Sequence, residues 1–390
     1  MNLIHIDENG LHLVFERKED GTCKLLHFSA LPFDEDRLLH QHDRSTGEIK
    51  VNTERYNLLE IMISGQDRPL ERHGNKYIST APGYRMQLVD FADKRNSLGR
   101  KLEIKMHDDV CGIDTVSHMQ FYDGIQAVRC WTDVTNVGQE PQGLEYVSSF
   151  ALTGIEKEGL LSTDDKMRVW YPHNGWQREM QWESYSFPQL GLALCQPEEV
   201  QRSSKVIGAT NIGNWSTKEY LPLGLLENTE TGSNLFWQIE HNGSWHWEIS
   251  DQMGSFYIQL SGPSETESHW WKNLQPGETF TTVPVCVGST IGKFDDAMGE
   301  LTKYRRVIRR KNDDNEKLCI IFNDYMNCLW ANPTTAKEIP LIDAAHKAGC
   351  EYFCVDAGWY AAGFWWDNVG EWLPSYERFP NGLEEVMDYI

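Results

Sequence analysis

Near residue 356 an apolar run ends in an aspartate, and an indole follows three positions later: Cys354-Val355-Asp356-Ala357-Gly358-Trp359-Tyr360. A second apolar run, residues 318–323, ends the same way in Asn323-Asp324-Tyr325. A carboxylate accepts several hydrogen bonds from neighbouring hydroxyls, and an indole face packs on an apolar ring face. Together they suit a sugar, which presents hydroxyl edges and CH faces. The competing reading makes Asp356 a turn or helix-cap residue and Trp359 a core side chain. Asp356, Trp359, Asp324 and Tyr325 are the candidate binding residues read from this pattern.

The elements that must carry them are two short, nearly all-apolar strands, 318–323 and 351–355, as expected of parallel strands buried on both faces. Between them, residues 336–349 read as a helix: Thr335 and Glu338 have capping-box spacing, and Gly349 stands where a C-cap glycine belongs. Residues 379–390 begin another helix. In a parallel α/β fold, ligands collect at the carboxyl ends of the strands.

Upstream the pattern differs. Residues 1 to about 290 show short strands and turns with no long helix. Residues 11–17 and 23–28 form one expected hairpin. Residues 233–240 and 244–250 form a second, closed by Asn242-Gly243 as a type I′ turn. So many evenly spaced strands imply one large sandwich of antiparallel sheets. Residues 294–310 then repeat Met298, Leu301, Tyr304 and Ile308 at helical spacing, with acids early and arginines late, and read as a linker helix.

Composition narrows the function. The formal charge is −22, from 36 basic and 58 acidic residues, a field that repels phosphates and anionic lipid. Nucleic acid and membrane partners are therefore not expected. Neutral ligands remain, and the 15 Trp, 15 Tyr and 15 Phe supply flat platforms for them or fill a large sandwich core. The nine cysteines are scattered without Cys-x-x-Cys and read as reduced structural thiols. No signal-peptide pattern opens the chain and no run approaches a membrane span, so a cytoplasmic protein is expected. No metal or nucleotide motif occurs and no cofactor is expected.

Order and spacing of several motifs resemble the start of the catalytic barrel of the glycoside hydrolase family 36 α-galactosidases. That family carries Asn-x-Trp-Glu-Ala after strand one, Asp-Asp-Gly-Trp after strand two, then Gly-Asp-Trp and Phe-Pro-Asn-Gly-Leu. The corresponding residues are Asn323-Asp324-Tyr325-Met326, Asp356-Ala357-Gly358-Trp359, Gly370-Glu371-Trp372 and Phe379-Pro380-Asn381-Gly382-Leu383. Residues 173–192 resemble the family segment bearing Gly-x-Trp-x-Arg-Glu, and 276–289 its Pro-Gly-Glu-x-Phe exit from the sandwich. The resemblance implies an N-terminal β-supersandwich (1–290), a linker helix (291–317) and an incomplete (β/α)8 TIM barrel (318–390), its first two βα units. It adds Glu371 and Trp372 to the binding candidates.

The implied activity is that of a retaining hydrolase of terminal α-galactosides, with two carboxyls about 5–5.5 Å apart. In the family these follow barrel strands four and six, so both are expected beyond Ile390. No catalytic residue is assigned within the 390 residues, and the chain alone is expected to be inactive and homo-oligomeric. Asp324, Glu371 and Asp367 share one rim, but nothing in the family pattern makes them a catalytic pair. Ala357 replaces the family's second aspartate, Tyr325 its tryptophan and Glu371 its aspartate, leaving galactose and N-acetylgalactosamine both open as the glycon. The other class of function is a non-catalytic carbohydrate-binding or structural module.

Overall fold

Within Arg100–Asp108, Leu102, Ile104, Met106 and Asp108 are buried while the residues between them are half-buried. That is the period of two that a strand with one covered face requires. Gln87–Arg95, Arg100–Asp108, Ile113–Phe121 and Ala127–Asn136 follow one another as an antiparallel meander. The computed structural model describes residues 2–38, 40–42, 49–51, 53–54, 56–66, 76–194, 204–252 and 254–390; Cys195 lies outside them. The chain divides into two compact units, Met1–Ile308 and Arg309–Ile390.

The first unit is mainly β, and every strand pair described in it is antiparallel. One sheet runs from Gln181–Ser186 through Met167–His173, Leu223–Asn228, Ser233–Ile239 and Val285–Ile291 to the meander, with Thr279–Thr281 added on Ala127–Asn136. A second sheet orders Ile207–Asn211, Trp245–Gln252, Ser255–Ser261, Gln142–Thr153 and Lys272–Leu274, with Ile61–Ile63 also on Gln142–Thr153. Asn2–Glu8, Leu11–Arg17 and Cys23–Ser29 make a small sheet of their own, containing the expected first hairpin. Helices before residue 290 are short turns of three to five residues among the described residues.

The second expected hairpin does not form. Ser233–Ile239 belongs to the first large sheet and Trp245–Gln252 to the other, so Asn242-Gly243 carries the chain across the sandwich. Neither residue adopts the positive φ of a type I′ turn. The reason lies in the side chains. Trp237 and Trp247 point inward from opposite sheets and meet edge to face, ring centroids 5.2 Å apart at 64°. Side-by-side pairing would leave one of these large faces without the opposite layer. Burying roughly 200 Å² per indole contributes about 5 kcal/mol gross at 25 cal/mol/Å².

The helix Phe294–Ile308 buries Ala297, Leu301 and Tyr304 against Tyr122, Ile125, Leu225, Phe236 and Cys286, all in the first unit. The Tyr304 hydroxyl donates to Glu240, and Arg305 Nε donates to Gln238 Oε1 at 2.6 Å. The expected 3.6-residue stripe is thus what docks the helix on the sheet. No helix among the described residues is long and apolar enough to cross a membrane.

In the second unit, Ile321–Asn323 and Tyr352–Cys354 pair in parallel, Ile321 opposite Tyr352. The helix Thr335–Ala348 lies between them in sequence and ends at Gly349 in the left-handed region, φ 82°. Two expectations fail. The strands are not buried on both faces: Ile321 is 62% and Tyr352 56% exposed, because two strands offer one covered side and two open edges. The core of this unit is Ile342, Phe379 and Val386, with Phe353, Val355, Trp359 and Leu383 packed against it. Nor is there a capping box. Thr334 is the N-cap, with no side-chain cap bond, and Glu338 turns inward to full burial instead of back to the cap.

If the Trp237–Trp247 contact ties the two large sheets together, Trp247→Ala should lower the unfolding free energy of the first unit by about 3–5 kcal/mol. Urea unfolding followed by circular dichroism measures it, and a loss below about 1 kcal/mol would contradict the packing described.

Candidate functional site

The rim at the carboxyl ends of the parallel strands is organised by polar contacts. Asp324 Oδ1 accepts the Asp356 backbone N–H at 2.8 Å, which ties the ends of the two strands together. Asn323 Nδ2 donates to Asp356 Oδ2 at 2.7 Å, and the Ala357 N–H donates to Asp356 Oδ1 at 2.6 Å. Asn323 Oδ1 also accepts the Tyr325 N–H at 2.8 Å. Asp356 is half-buried, and each of its oxygens retains acceptor capacity beyond the single bond it makes.

Gly358 allows the two loops to meet. Its φ is +99°, and a Cβ there would run into the Ala331 carbonyl oxygen. Ala331 and Trp330 themselves hold positive φ, 58° and 51°. Arg378, only 8% exposed, staples the same loops. It donates through Nη1 to Asn332 Oδ1 at 2.7 Å and Pro333 O at 3.3 Å, through Nη2 to Gly363 O at 2.8 Å, and through Nε to Ala361 O.

The six candidates fall into distinct positions. Trp359 and Trp372 come together, their indole centroids 6.4 Å apart, with Tyr360 edge-on to Trp372 at 4.7 Å, while Asp356 is bonded to Asn323, Asp324 and Ala357. Trp359 is half-buried and packs on the small core, so its packing role and its place at the rim coexist. Trp372 is 52% exposed. Tyr325 belongs to a second aromatic group with Trp330 and Trp365, centroids 5.8 and 6.2 Å away. Glu371 is exposed. Asp324 is buried at 1% exposure and acts on the rim through the Asp356 backbone.

Sequence reasoning missed Arg378 and the inward role of Glu338. It also missed Tyr360, Trp330 and Trp365 as partners of the named rings. The glycine of Asp-x-Gly-Trp was the one available signal that two loops approach closely here.

Burial sets the electrostatics. It pushes the Asp324 carboxyl above the usual carboxylate range; the Asp356 N–H opposes the shift and the Asp356 charge adds to it. Burial, with the negative charges of Asp356 and Asp324, pushes up the Cys354 thiol and makes it a poor nucleophile. No group of three or more His, Cys, Asp or Glu side chains is placed to hold a metal ion among the described residues.

No family model matches the chain. Among curated proteins, α-galactosidase Mel36A of Lactobacillus acidophilus is 27% identical over 170 residues, 42% of this chain and 22% of that protein. α-Galactosidase 1 of Pediococcus pentosaceus is 27% identical over 179 residues, 43% of this chain and 23% of that protein. The solved family 36 α-galactosidase AgaA of Geobacillus stearothermophilus superposes with TM-score 0.72 at 14% identity, over 100% of this chain and 55% of that one. This chain resembles the N-terminal portion of a family 36 α-galactosidase. The α-galactosidase of Lactobacillus brevis gives TM-score 0.71 at 14% identity, over 99% of this chain and 52% of that one. The chain therefore spans about half the length of these solved relatives. The likeness to them is one of fold, with large antiparallel sheets leading.

Arg378→Ala would leave Asn332 Oδ1 and several loop carbonyls without their donor. The second unit should lose about 2–4 kcal/mol of stability, read as faster hydrogen exchange across 357–363. Exchange unchanged from the parent protein would show that the guanidinium does not hold the loops.

Proposed function

We propose that residues 318–390 are the first two βα units of a (β/α)8 barrel, following a sandwich domain over 1–290 and the linker 291–317. Their strand-end rim binds the terminal sugar of an α-galactoside. The parallel register of the strands and the helix between them support the barrel reading. The observation that carries the sugar reading is the rim itself: Asn323 and Ala357 hold the Asp356 carboxylate at the turn that also bears Trp359, and the part-exposed Trp372 lies 6.4 Å from the Trp359 ring. Variants of the Geobacillus AgaA are described in complex with stachyose and raffinose, which favours a galactoside over other sugars.

Hydrolysis by these residues alone is not part of the proposal. Asp324 and Glu338, the carboxyls that face one another, are buried at 1% and 0% exposure and cannot reach a glycosidic oxygen. Asp356 is held as an acceptor. A retaining pair is assigned to no residue in 1–390, and p-nitrophenyl α-galactoside should not be turned over. Ala357 favours a second reading, an N-acetylgalactosamine-directed branch, since the missing carboxylate leaves apolar room beside Asp356. The −22 charge supports neutral sugar as the partner over nucleic acid or membrane. A homo-oligomer in the cytoplasm completes the proposal.

Galactose should bind near millimolar, about 4 kcal/mol, from a few hydrogen bonds and one stacked ring after association costs. Isothermal titration with galactose and N-acetylgalactosamine tests it. Asp356→Asn and Trp372→Ala should each weaken binding at least about tenfold, the equivalent of 1.4 kcal/mol. Unchanged affinity in both variants would remove the rim as the site.

A further inference from the structure

Glu338 has no evident partner. It lies in the first turn of Thr335–Ala348, fully buried, and neither carboxyl oxygen meets a donor. Its backbone N–H bonds Thr334 O at 2.9 Å, which places it in the helix without using the side chain. Asp324 is in the same position by half: Oδ1 takes the Asp356 N–H, while Oδ2 is buried and meets no donor. Three acceptor atoms of two adjacent carboxyls are thus out of water with nothing to accept from.

An ionised carboxylate accepts hydrogen bonds and donates none, whereas a protonated one carries an O–H donor. Leaving a buried acceptor unsatisfied costs about 1–3 kcal/mol, and more for a charged group. Two buried carboxylates facing each other cannot both ionise cheaply. A single proton answers all of this. It removes one charge and gives the pair the donor that the surroundings lack.

The neighbours supply no substitute. The facing charged and titratable groups are Lys337 on the same helix, Cys354 at the end of the second strand and Asp356 two residues beyond it. Lys337 Nζ is bonded to Asn332 O at 2.9 Å. Asp356 and Cys354 contribute negative or neutral groups, which favour retention of a proton. Burial, then Asp324, pushes the Glu338 carboxyl up to about 8.

We infer that Glu338 and Asp324 share one proton, and that this shared proton fixes the Asp324 carboxyl which in turn holds the Asp356 N–H at the rim. Glu338 is then a positioning residue for Asp356. Its consequence for sugar binding rests on the proposed function above. Because the pair keeps its proton in the folded protein above the pH at which an unfolded glutamate loses it, its stabilisation is full below about pH 4.5 and is lost as pH rises toward 8. The two macroscopic steps belong to the pair.

Difference infrared spectroscopy of the purified protein against Glu338→Gln reads the proton directly. Buried Glu60 and Glu156, also raised by burial, cancel in that difference. At pH 6.5 the parent protein should show one additional protonated carboxyl, titrating near pH 8. In parallel, the Asp356 amide, followed by NMR with selective 15N-aspartate labelling, should exchange at least about tenfold faster at pH 9 than in Glu338→Gln at the same pH. Glu338→Gln supplies a permanent neutral donor and should hold the amide at both pH values, while Glu338→Ala should release it at both. No additional protonated carboxyl at pH 6.5, or Asp356 exchange indifferent to both substitutions, overturns the inference. Galactose titration is read separately: absence of binding at every pH, with proton and amide behaving as described, counts against the proposed function and leaves the shared proton standing.

Discussion

The meeting of Trp237 and Trp247 between the two large sheets constrains much of the first unit. Once two indoles must face each other from opposite layers, the strands that carry them cannot be neighbours, and the chain between residues 240 and 244 has to cross the sandwich. The same bulk dictates what may sit beside it. The cross-strand partner of Trp237 is Gly224, and that of Phe236 is Gly288. At each of these glycines a Cβ would enter the aromatic ring. An aromatic ring laid over a glycine on the adjacent strand fills the space that the glycine leaves and restores packing to a weak strand position. The helix Phe294–Ile308 rests on the outer face of this arrangement, with Phe236 and Cys286 among the residues that receive it.

The second unit is built differently. Its two strands have three residues each, and its core has three fully buried side chains. So little apolar burial cannot fix loop positions to within an ångström, so position comes from directed bonds. Asp324 ties one strand end to the other, Asn323 orients the Asp356 carboxylate, and Arg378 gathers the loop carbonyls. Asp324 and Arg378 are charged and mostly removed from water, where a hydrogen bond is stronger and a missing one more damaging, whereas Asn323 is exposed. The rim is as rigid as this network is satisfied. That is why the carboxyl oxygens of Glu338, buried beside Asp324 without a donor, matter to the rim.

Sequence revealed the elements that depend on local pattern and concealed those that depend on long-range placement. The hairpin of residues 11–17 and 23–28, the stripe Met298, Leu301, Tyr304 and Ile308, and the Gly349 cap follow from spacing alone, and all three are found. The parallel strands were legible as apolar runs. Their exposure was not, because burial depends on neighbours rather than on the run itself. Asn242-Gly243 misled for a related reason: a turn dipeptide states that the chain can reverse, and only the facing indoles decide whether it pairs or crosses. Thr335 and Glu338 had capping-box spacing, yet the helix begins one residue earlier, at the Thr334 cap, and Glu338 lies on its buried side. In the candidate site, Asp356, Trp359 and Trp372 were identifiable by type. Arg378 was invisible, since its partners are the Asn332 side chain and backbone carbonyls scattered between residues 333 and 363.

Ala357 bears on what such a rim can recognise. A second aspartate at this position would add a charge beside Asp356, Asp324 and the raised Cys354 thiol, and every one of these is anionic or neutral. With alanine there, Asp356 is the one carboxylate at the turn, and its orientation is set by one side-chain donor and one backbone donor. Its remaining lone pairs can accept two hydroxyls, each worth about 0.5–1.5 kcal/mol net. If the rim takes a sugar as proposed, discrimination between epimers falls on a single pair of acceptors and on the tilt of Trp359 against Trp372. A carboxylate rotated by even one torsional step would present those acceptors to the wrong hydroxyls. Recognition by so few groups is sharp only if they do not move, and the bond that holds the Asp356 backbone leads inward to Asp324, beside which Glu338 is buried.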